Sequence, residues 1–293
     1  MAARVCVVGS VNMDLTLDVN ALPRPGETVL ASSLSYAPGG KGGNQAVAAA
    51  RAGARVQFVG AVGDDPAAEQ LRAHLRANGV GMDGTVTLPV PSGTAIIVVD
   101  STAENTIVVA SGANGLLTLA AGAARAAVAD CDVLLTQLEI PVTTATAAAR
   151  EARSTGAIVI VNASPAGQNQ SALAELAAVA DVVIANETEA DEWKWPSTHL
   201  VVTRGARGAR YVGVDGEFDV AAPAVTAVDT TGAGDVFAGV LAASWPSSIG
   251  SPDERLRALQ RACAAGALAT LIPGAGNCAP GAEAIEKVVA DAN

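Results

Sequence analysis

Asp229-Thr-Thr-Gly-Ala-Gly-Asp235 runs directly into Val236-Phe-Ala-Gly-Val-Leu-Ala-Ala243. Gly232 and Gly234 let the backbone turn tightly, and the residues that follow have helical spacing and composition. A turn that delivers its amides to a helix N-terminus makes an anion site from free N–H groups and the positive end of the helix dipole. A carboxylate placed there is electrostatically useful only beside the chemistry. Asp235 alone reads as a helix cap; with the two glycines and a second acid at Asp229, phosphoryl transfer becomes the better reading. The amides of Gly232, Ala233 and Gly234 would face the charge on phosphate, and Asp235 would take the proton of an attacking hydroxyl.

Upstream of this turn, short β-branched runs alternate with Ala-rich stretches. The runs Val5–Val8, Val56–Gly60, Val133–Gln137, Ile158–Asn162, Val182–Asn186 and Leu200–Thr203 read as strands. Asn44–Ala52, Pro66–Asn78, Leu119–Ala129, Val142–Ser154 and Ser171–Ala178 read as helices between them, and Asp235–Ala243, Glu254–Leu268 and Ala282–Ala290 as a helical C-terminal part. Such alternation predicts an α/β fold with a mainly parallel sheet covered on both faces. Four segments lack intervening helices: Leu15–Val19 with Thr28–Leu34, and Ala95–Asp100 with Thr106–Ala110 across a Ser101–Asn105 turn. They predict a small separate sheet, with an antiparallel extension of the main sheet as the alternative.

The chain has 293 residues, half of them apolar, which is ample for a large core, but only 3% are aromatic, so that core must be built from Ala, Val, Leu and Ile. A net charge of −11 argues against nucleic acid or an anionic membrane as partner, since both need a basic face. Cys6, Cys131, Cys263 and Cys278 lie far apart, as do His74 and His199, so no zinc site is readable. Buried thiols in a reducing cytoplasm are the expectation. The N-terminus has no signal-peptide core and no apolar run is long enough to span a membrane.

A second glycine motif, Pro38-Gly-Gly-Lys-Gly-Gly-Asn-Gln-Ala46, precedes the first helix. No Ser or Thr follows Lys41, so it is not a phosphate-binding P-loop, and Gln45 stands where a dinucleotide fingerprint needs its last glycine. What remains is a tight loop that lets a small polyhydroxylated ligand approach the backbone. Asn12 and Asp14, two apart on an extended chain, point the same way; by spacing alone they read as strand-end turn residues. Asn186-Glu-Thr-Glu189 reads from its residues as a capping box at a helix start.

Together the two glycine motifs resemble the signatures of the ribokinase-like (PfkB-type) family of sugar and nucleoside kinases, in family order, and the likeness runs from Val5 to about Pro280. The resemblance implies a three-layer sandwich with a mainly parallel central sheet and a small β-sheet lid. It implies one catalytic domain over 1–293, with the lid at about 15–35 and 94–111 forming a homodimer interface. It implies ATP, Mg2+ and K+, and transfer of a phosphoryl group to a sugar, with the 5-hydroxyl of D-ribose as the expected acceptor. Deoxyribose, fructose and nucleosides are the other acceptors in the class, and a sugar-binding regulatory protein without turnover is the reading from a different class.

Carried over residue by residue, the resemblance places Asn12, Asp14, Gly40, Lys41, Asn44, Glu139 and Asp235 against the sugar. Asn186 and Glu189 fall around Mg2+ and the phosphates, Thr203 and Gly205 near the nucleotide, and Gly232, Ala233 and Gly234 at the transferring group. Asp229 and Thr231 match a monovalent-cation site completed by carbonyls of the loop Ala269–Cys278, including Ile272 and Gly274. Cys278 stands where the family often has serine, and a thiol is a poor ligand for a hard cation. The stretch between Asn186 and Leu200 is shorter than in the family, which trims the rim on the nucleotide side. Trp193 and Trp195 read as rim or core packing.

Overall fold

The apolar runs do become strands, and in chain order the elements are β1 (Arg4–Val8), β2 (Asn12–Asp18), β3 (Ser33–Gly39), α1 (Lys41–Arg51), β4 (Arg55–Val59), β5 (Ala61–Val62), α2 (Pro66–Ala77), β6 (Val86–Thr87), β7 (Gly93–Val99) and β8 (Asn105–Ala110). They continue as α3 (Gly122–Ala129), β9 (Val133–Thr136), α4 (Val142–Ser154), β10 (Ile158–Asn162), α5 (Gln170–Ala177), β11 (Val182–Asn186), α6 (Glu187–Glu192), β12 (His199–Thr203), β13 (Ala209–Gly213), β14 (Gly216–Val220), α7 (Ala233–Ser244), α8 (Pro252–Ala269) and α9 (Ala282–Asp291). This computed structural model describes residues 2–102, 104–246 and 250–291. Ala103 of the expected Ser101–Asn105 turn and the ends of the expected 1–293 unit lie outside the described residues.

The main sheet has the order β14-β13-β12-β11-β10-β9-β1-β4. It is parallel from β4 to β12 and antiparallel at β13 and β14. Its strands are near-continuous apolar runs because both faces are covered. Val5 and Val7 point into a core shared with α1, α2, α7, α8 and α9. Cys6 and Val8 point into a second core under α3, α4 and α5. The four cysteines are buried and unbridged. From β1 the chain adds β4 on one side and then β9 to β12 on the other, so the winding reverses between β1 and β9. The carboxyl ends of those two strands open the crevice where ligands of such sheets bind.

The small sheet has the order β3-β2-β7-β8. The hairpin β7–β8 falls where the sequence puts it, but the first strand pair does not. β2 starts at Asn12 rather than Leu15, so its antiparallel partner has to reach Gly39 to complete the pairing Asn12↔Gly39 to Asp18↔Ser33. The strand expected over 28–34 is therefore displaced to Ser33–Gly39, and 28–32 is exposed chain. Residues paired across the ladders share a face. Leu15, Tyr36, Ile96 and Val108 thus lie on one face and Asp14, Ala37, Ala95 and Val109 on the other.

The β13–β14 hairpin was not expected from sequence, although Asp215-Gly216 between alternating residues is a hairpin signal. Among the described residues, no helix is long and apolar enough to cross a membrane.

Candidate functional site

Helix α1 begins at Lys41, three residues before the expected Asn44, with Gly40 as its N-cap. Gly40 has φ +85, and a Cβ there would lie 2.6 Å from Asn12 N, so only glycine fits the turn. This brings the start of α1 against the chain leaving β1. Glu139, just beyond β9, accepts from Ser10 Oγ at 2.6 Å and from Lys41 N at 3.2 Å. A carboxylate at a helix N-terminus is favoured by the dipole, and here it also ties the ends of β1 and β9 to α1.

Asp14 stands above this junction, and Gly39, the register partner of Asn12, leaves room for its carboxylate, since a Cβ there would collide with Asp14 Oδ2. Burial first, then the charges of Glu139 and Asp235, push its pKa up to about 7. No donor among the described residues reaches its Oδ1. Burial would depress Lys41, but Asp235, Glu139 and Glu189 outweigh it and hold the ammonium above its ordinary value. Asn12 is buried, and its Oδ1 accepts from Asn114 Nδ2 at 2.8 Å.

Gly232, at φ +78, is the N-cap of α7; a Cβ on it would lie 2.7 Å from Ala275 Cα. The Ala233 N–H turns to Thr230 O at 3.3 Å, whereas no acceptor among the described residues faces the N–H of Gly232 or Gly234. Asp235 lies in the first turn, 8% exposed. Its Oδ2 accepts from Asn44 Nδ2 and its Oδ1 from Gln45 Nε2, both at 3.0 Å. The two helices can meet this closely because Gly239 packs against the Gln45 carbonyl where any Cβ would collide.

Beside the α7 N-terminus lies a cavity of about 530 Å³, lined by Thr203, Gly205, Ala233, Gly234, Phe237 and Ala267 among others. Its size is that of a small-molecule pocket, and it is largely apolar with the α7 N-terminus at one end. The structure brings Thr203, Gly205, Ala233 and Gly234 together there, but not Asn186 and Glu189. Those two form a full capping box on α6, with Asn186 N to Glu189 Oε2 at 2.9 Å and Glu189 N to Asn186 Oδ1 at 2.8 Å. Only Oε2 of Glu189 serves the cap. Asn186 is paired with Thr203 across β11 and β12, so both motifs end adjacent strands.

Asp229 ties two loops: Oδ1 accepts from Thr231 N and Oδ2 from Gly274 N, each at 2.8 Å. Burial alone would raise the Asp229 carboxyl, but these donors outweigh it and its pKa lies below the ordinary value. The Cys278 thiol approaches the carbonyls of Ala275 (3.2 Å) and Thr231 (3.9 Å), and burial pushes its pKa up to about 11. Ala269 closes α8, where its carbonyl accepts from Ile272 N at 3.2 Å, and Ile272 itself is exposed. No group of three or more His, Cys, Asp or Glu side chains placed to hold a metal occurs among the described residues.

Several residues of this region had no local signal. Asn114 holds both Asn12 and the Val11 backbone from a loop about a hundred residues away. Asn162 looked like any strand end, yet its side chain meets Gln45. Trp193 and Trp195 pack edge to face at 5.3 Å against the second core and do not line the cavity.

Residues 2–282 match the sequence pattern described as pfkB family carbohydrate kinase. Over 242 residues the chain is 38% identical to a ribokinase of Bacillus subtilis, covering 80% of this chain and 82% of that one. It is 34% identical over 264 residues to a deoxyribokinase of Salmonella typhi, covering 81% and 84%. The fold superposes on an Arabidopsis thaliana ribokinase solved with ribose and ATP at a TM-score of 0.88, with 27% identity and 99% of each chain covered.

Proposed function

This chain belongs to the pfkB family of carbohydrate kinases, and from that premise we propose that it transfers a phosphoryl group from ATP to the 5-hydroxyl of D-ribose. It is an ATP-dependent sugar kinase; the choice of ribose, the residue roles, the ions and the assembly are this reading's own. The observation that carries it is the position of Asp235, held by two amides at the start of α7 between the Asp14–Lys41–Glu139 cluster and the 530 Å³ cavity.

The sugar side takes Asn12, Asp14, Gly40, Lys41, Asn44 and Glu139. Asp14 Oδ1, buried and without a donor, is supplied with one by a sugar hydroxyl. ATP lies in the cavity with its base among Phe237 and Ala267, beside Thr203 and Gly205, and its phosphates at the α7 terminus. The attacking hydroxyl gives its proton to Asp235 as its oxygen bonds to phosphorus. The amides of Gly232 and Gly234, and that of Ala233 in exchange for its 3.3 Å bond to Thr230 O, stabilise the charge that develops on the transferring group.

Mg2+ keeps most of its waters and needs few carboxylates. Glu189, with Oε1 outside the cap, and Asn186 beside the nucleotide strands fit that modest demand. When bound, the ion neutralises charge on the phosphate oxygens. For K+, Asp229 and the carbonyls of Thr231, Ala269, Ile272 and Gly274 are the assigned ligands. The Asp229 tie fits an ion that orders both loops, whereas the neutral Cys278 thiol fits poorly as a ligand.

Residues 1–293 act as one catalytic unit with the small sheet as lid. The Asp14 face of that sheet turns to the sugar, and the opposite face leaves Leu34, Tyr36, Ile96 and Val108 exposed, between 41% and 61%. An apolar face of that kind marks an interface, and pairing two lids about a two-fold axis covers it. Ile107 and Val109 lie on the Asp14 face.

The deoxyribokinase relative keeps a second acceptor open. A panel of ribose, deoxyribose, fructose and adenosine, read by ADP release, decides it. Ribose should exceed the others in kcat/KM by about tenfold or more, because deoxyribose leaves a buried polar group unpaired and fructose and adenosine must fit extra atoms into the same cluster. Preference for deoxyribose or fructose would move the substrate within the family, and no turnover with any sugar would favour a binding protein.

A further inference from the structure

We propose that Gln45 and Asn162 are positioning residues that hold the Asp235 carboxylate in its reactive orientation, referencing it to the central sheet through a relay of side-chain amides. The proposal rests on the reading of Asp235 as proton acceptor. Gln45 is fully buried and Asn162 nearly so, so the relay works beneath the cleft and neither side chain is free to meet the sugar.

The direction of each amide is fixed by its neighbours. Asn162 Nδ2 donates to Ile184 O at 3.3 Å, which leaves Asn162 Oδ1 facing α1 as an acceptor. Asn162 and Ile184 are register partners on β10 and β11, so this reference point belongs to the sheet itself. Gln45 Nε2 donates to Asn162 Oδ1 at 3.1 Å and to Asp235 Oδ1 at 3.0 Å. A flipped Gln45 would set its oxygen against two acceptors at once. Gln45 Oε1 finds no donor among the described residues. Leaving a buried acceptor unmade is costly, so the site sacrifices one hydrogen bond to keep the nitrogen on Asp235.

A carboxylate that accepts one amide on each oxygen cannot swing about its last torsion. Asn44 supplies the other restraint, at Oδ2. The lone pair that takes the sugar proton is then held in place before the hydroxyl arrives, and misplacement by about 1 Å costs on the order of 10²-fold in rate. Among the described residues, the Asn162 side chain hydrogen-bonds only to Gln45 and the Ile184 carbonyl, so its polar link to Asp235 passes through Gln45.

The test uses the full chain with ribose and ATP, comparing Gln45→Met, Asn162→Leu, the double variant and Asn162→Asp, with Asp235→Asn alongside. Gln45→Met should lower kcat by roughly 10–10²-fold, with KM for ribose changed less than about threefold. Asn162→Leu should lose kcat in the same sense, and the double variant should be no worse than Gln45→Met, since residues acting as one unit do not add. Asn162→Asp keeps an acceptor for Gln45 and should recover much of the activity lost in Asn162→Leu. If Gln45→Met does not fold, the two Asn162 variants decide: equal kcat in both overturns the relay. Wild-type kcat in Gln45→Met, or multiplicative losses in the double variant, overturns it too. If Asp235→Asn is inactive while Gln45→Met is normal, only the relay fails. A fully active Asp235→Asn removes the proton acceptor itself and the relay with it.

Discussion

Asp14 carries a conflict between stability and function at the scale of one residue. An unfolded aspartate titrates near pH 4, whereas burial and the charges of Glu139 and Asp235 bring Asp14 to about 7 in the folded protein. The folded state therefore binds the extra proton between those values, and stability falls as pH rises through them. The loss is roughly 1.4 kcal/mol for each pH unit, complete by about pH 8. The stability advantage of Asp14→Asn over wild type should be larger at pH 8 than at pH 5, in thermal melts without sugar. The same variant should bind ribose roughly 10–100-fold more weakly, because it loses a charged acceptor. An equal stability difference at both pH values would contradict the burial argument. The importance of Asp14 was visible in sequence only through its motif; its titration was not, because Glu139 and Asp235 converge on it from 125 and 221 residues away.

At the scale of elements, what could be read in the sequence was what depends on local periodicity. The strands β10 and β11 and helix α4 fall on their expected residues, since an apolar run or a stripe carries its own signal. The start of α1 and the span of β3 did not, because each is set by a distant partner. Gly40 turns against Asn12, and Ser33–Gly39 is drawn into the sheet by the length of β2. The glycines of both motifs marked the candidate site; that α1 and α7 meet through Gly239 and Gln45 is a packing fact without a local signal.

The loop pair joined by Asp229 gives a prediction at this scale. Asp229→Ala releases both Thr231 N and Gly274 N, so the turn before α7 loses its tie to the C-terminal loop. Wild-type activity should rise severalfold with potassium and much less with sodium, and Asp229→Ala should be slow and insensitive to either. Equal wild-type rates in potassium and in a bulky organic cation would remove the cation from the account.

For the whole molecule, the Tyr36 face of the small sheet leaves apolar side chains exposed among the described residues. Tyr36 and Val108, each 61% exposed, stand on the same face. Light scattering should report about twice the 29.0 kDa chain mass, and Val108→Glu should shift the protein toward monomer because a charge cannot be buried in that contact without a partner. A fully active wild-type monomer at micromolar concentration would count against lid pairing. The winding reversal between β1 and β9 explains why the Asp14–Lys41–Glu139 cluster, the α7 terminus and the 530 Å³ cavity share one end of the sheet. Strand-helix alternation predicted the layers; the order of the strands, and hence the place of that crevice, came only with the fold.

The central claim is that Asp235 takes the proton of a sugar hydroxyl during phosphoryl transfer, and the most direct measurement is the rate of ribose-dependent ADP release by Asp235→Asn, with ribose and ATP binding followed on the same sample. Asparagine keeps the shape but cannot accept the proton, and its single oxygen can keep only one of the two amide contacts from Asn44 and Gln45. The account predicts a fall in kcat of ~10²–10⁴-fold or more, with both ligands still bound within a fewfold of wild type. Turnover near the wild-type rate, or loss of binding in place of turnover, would contradict it.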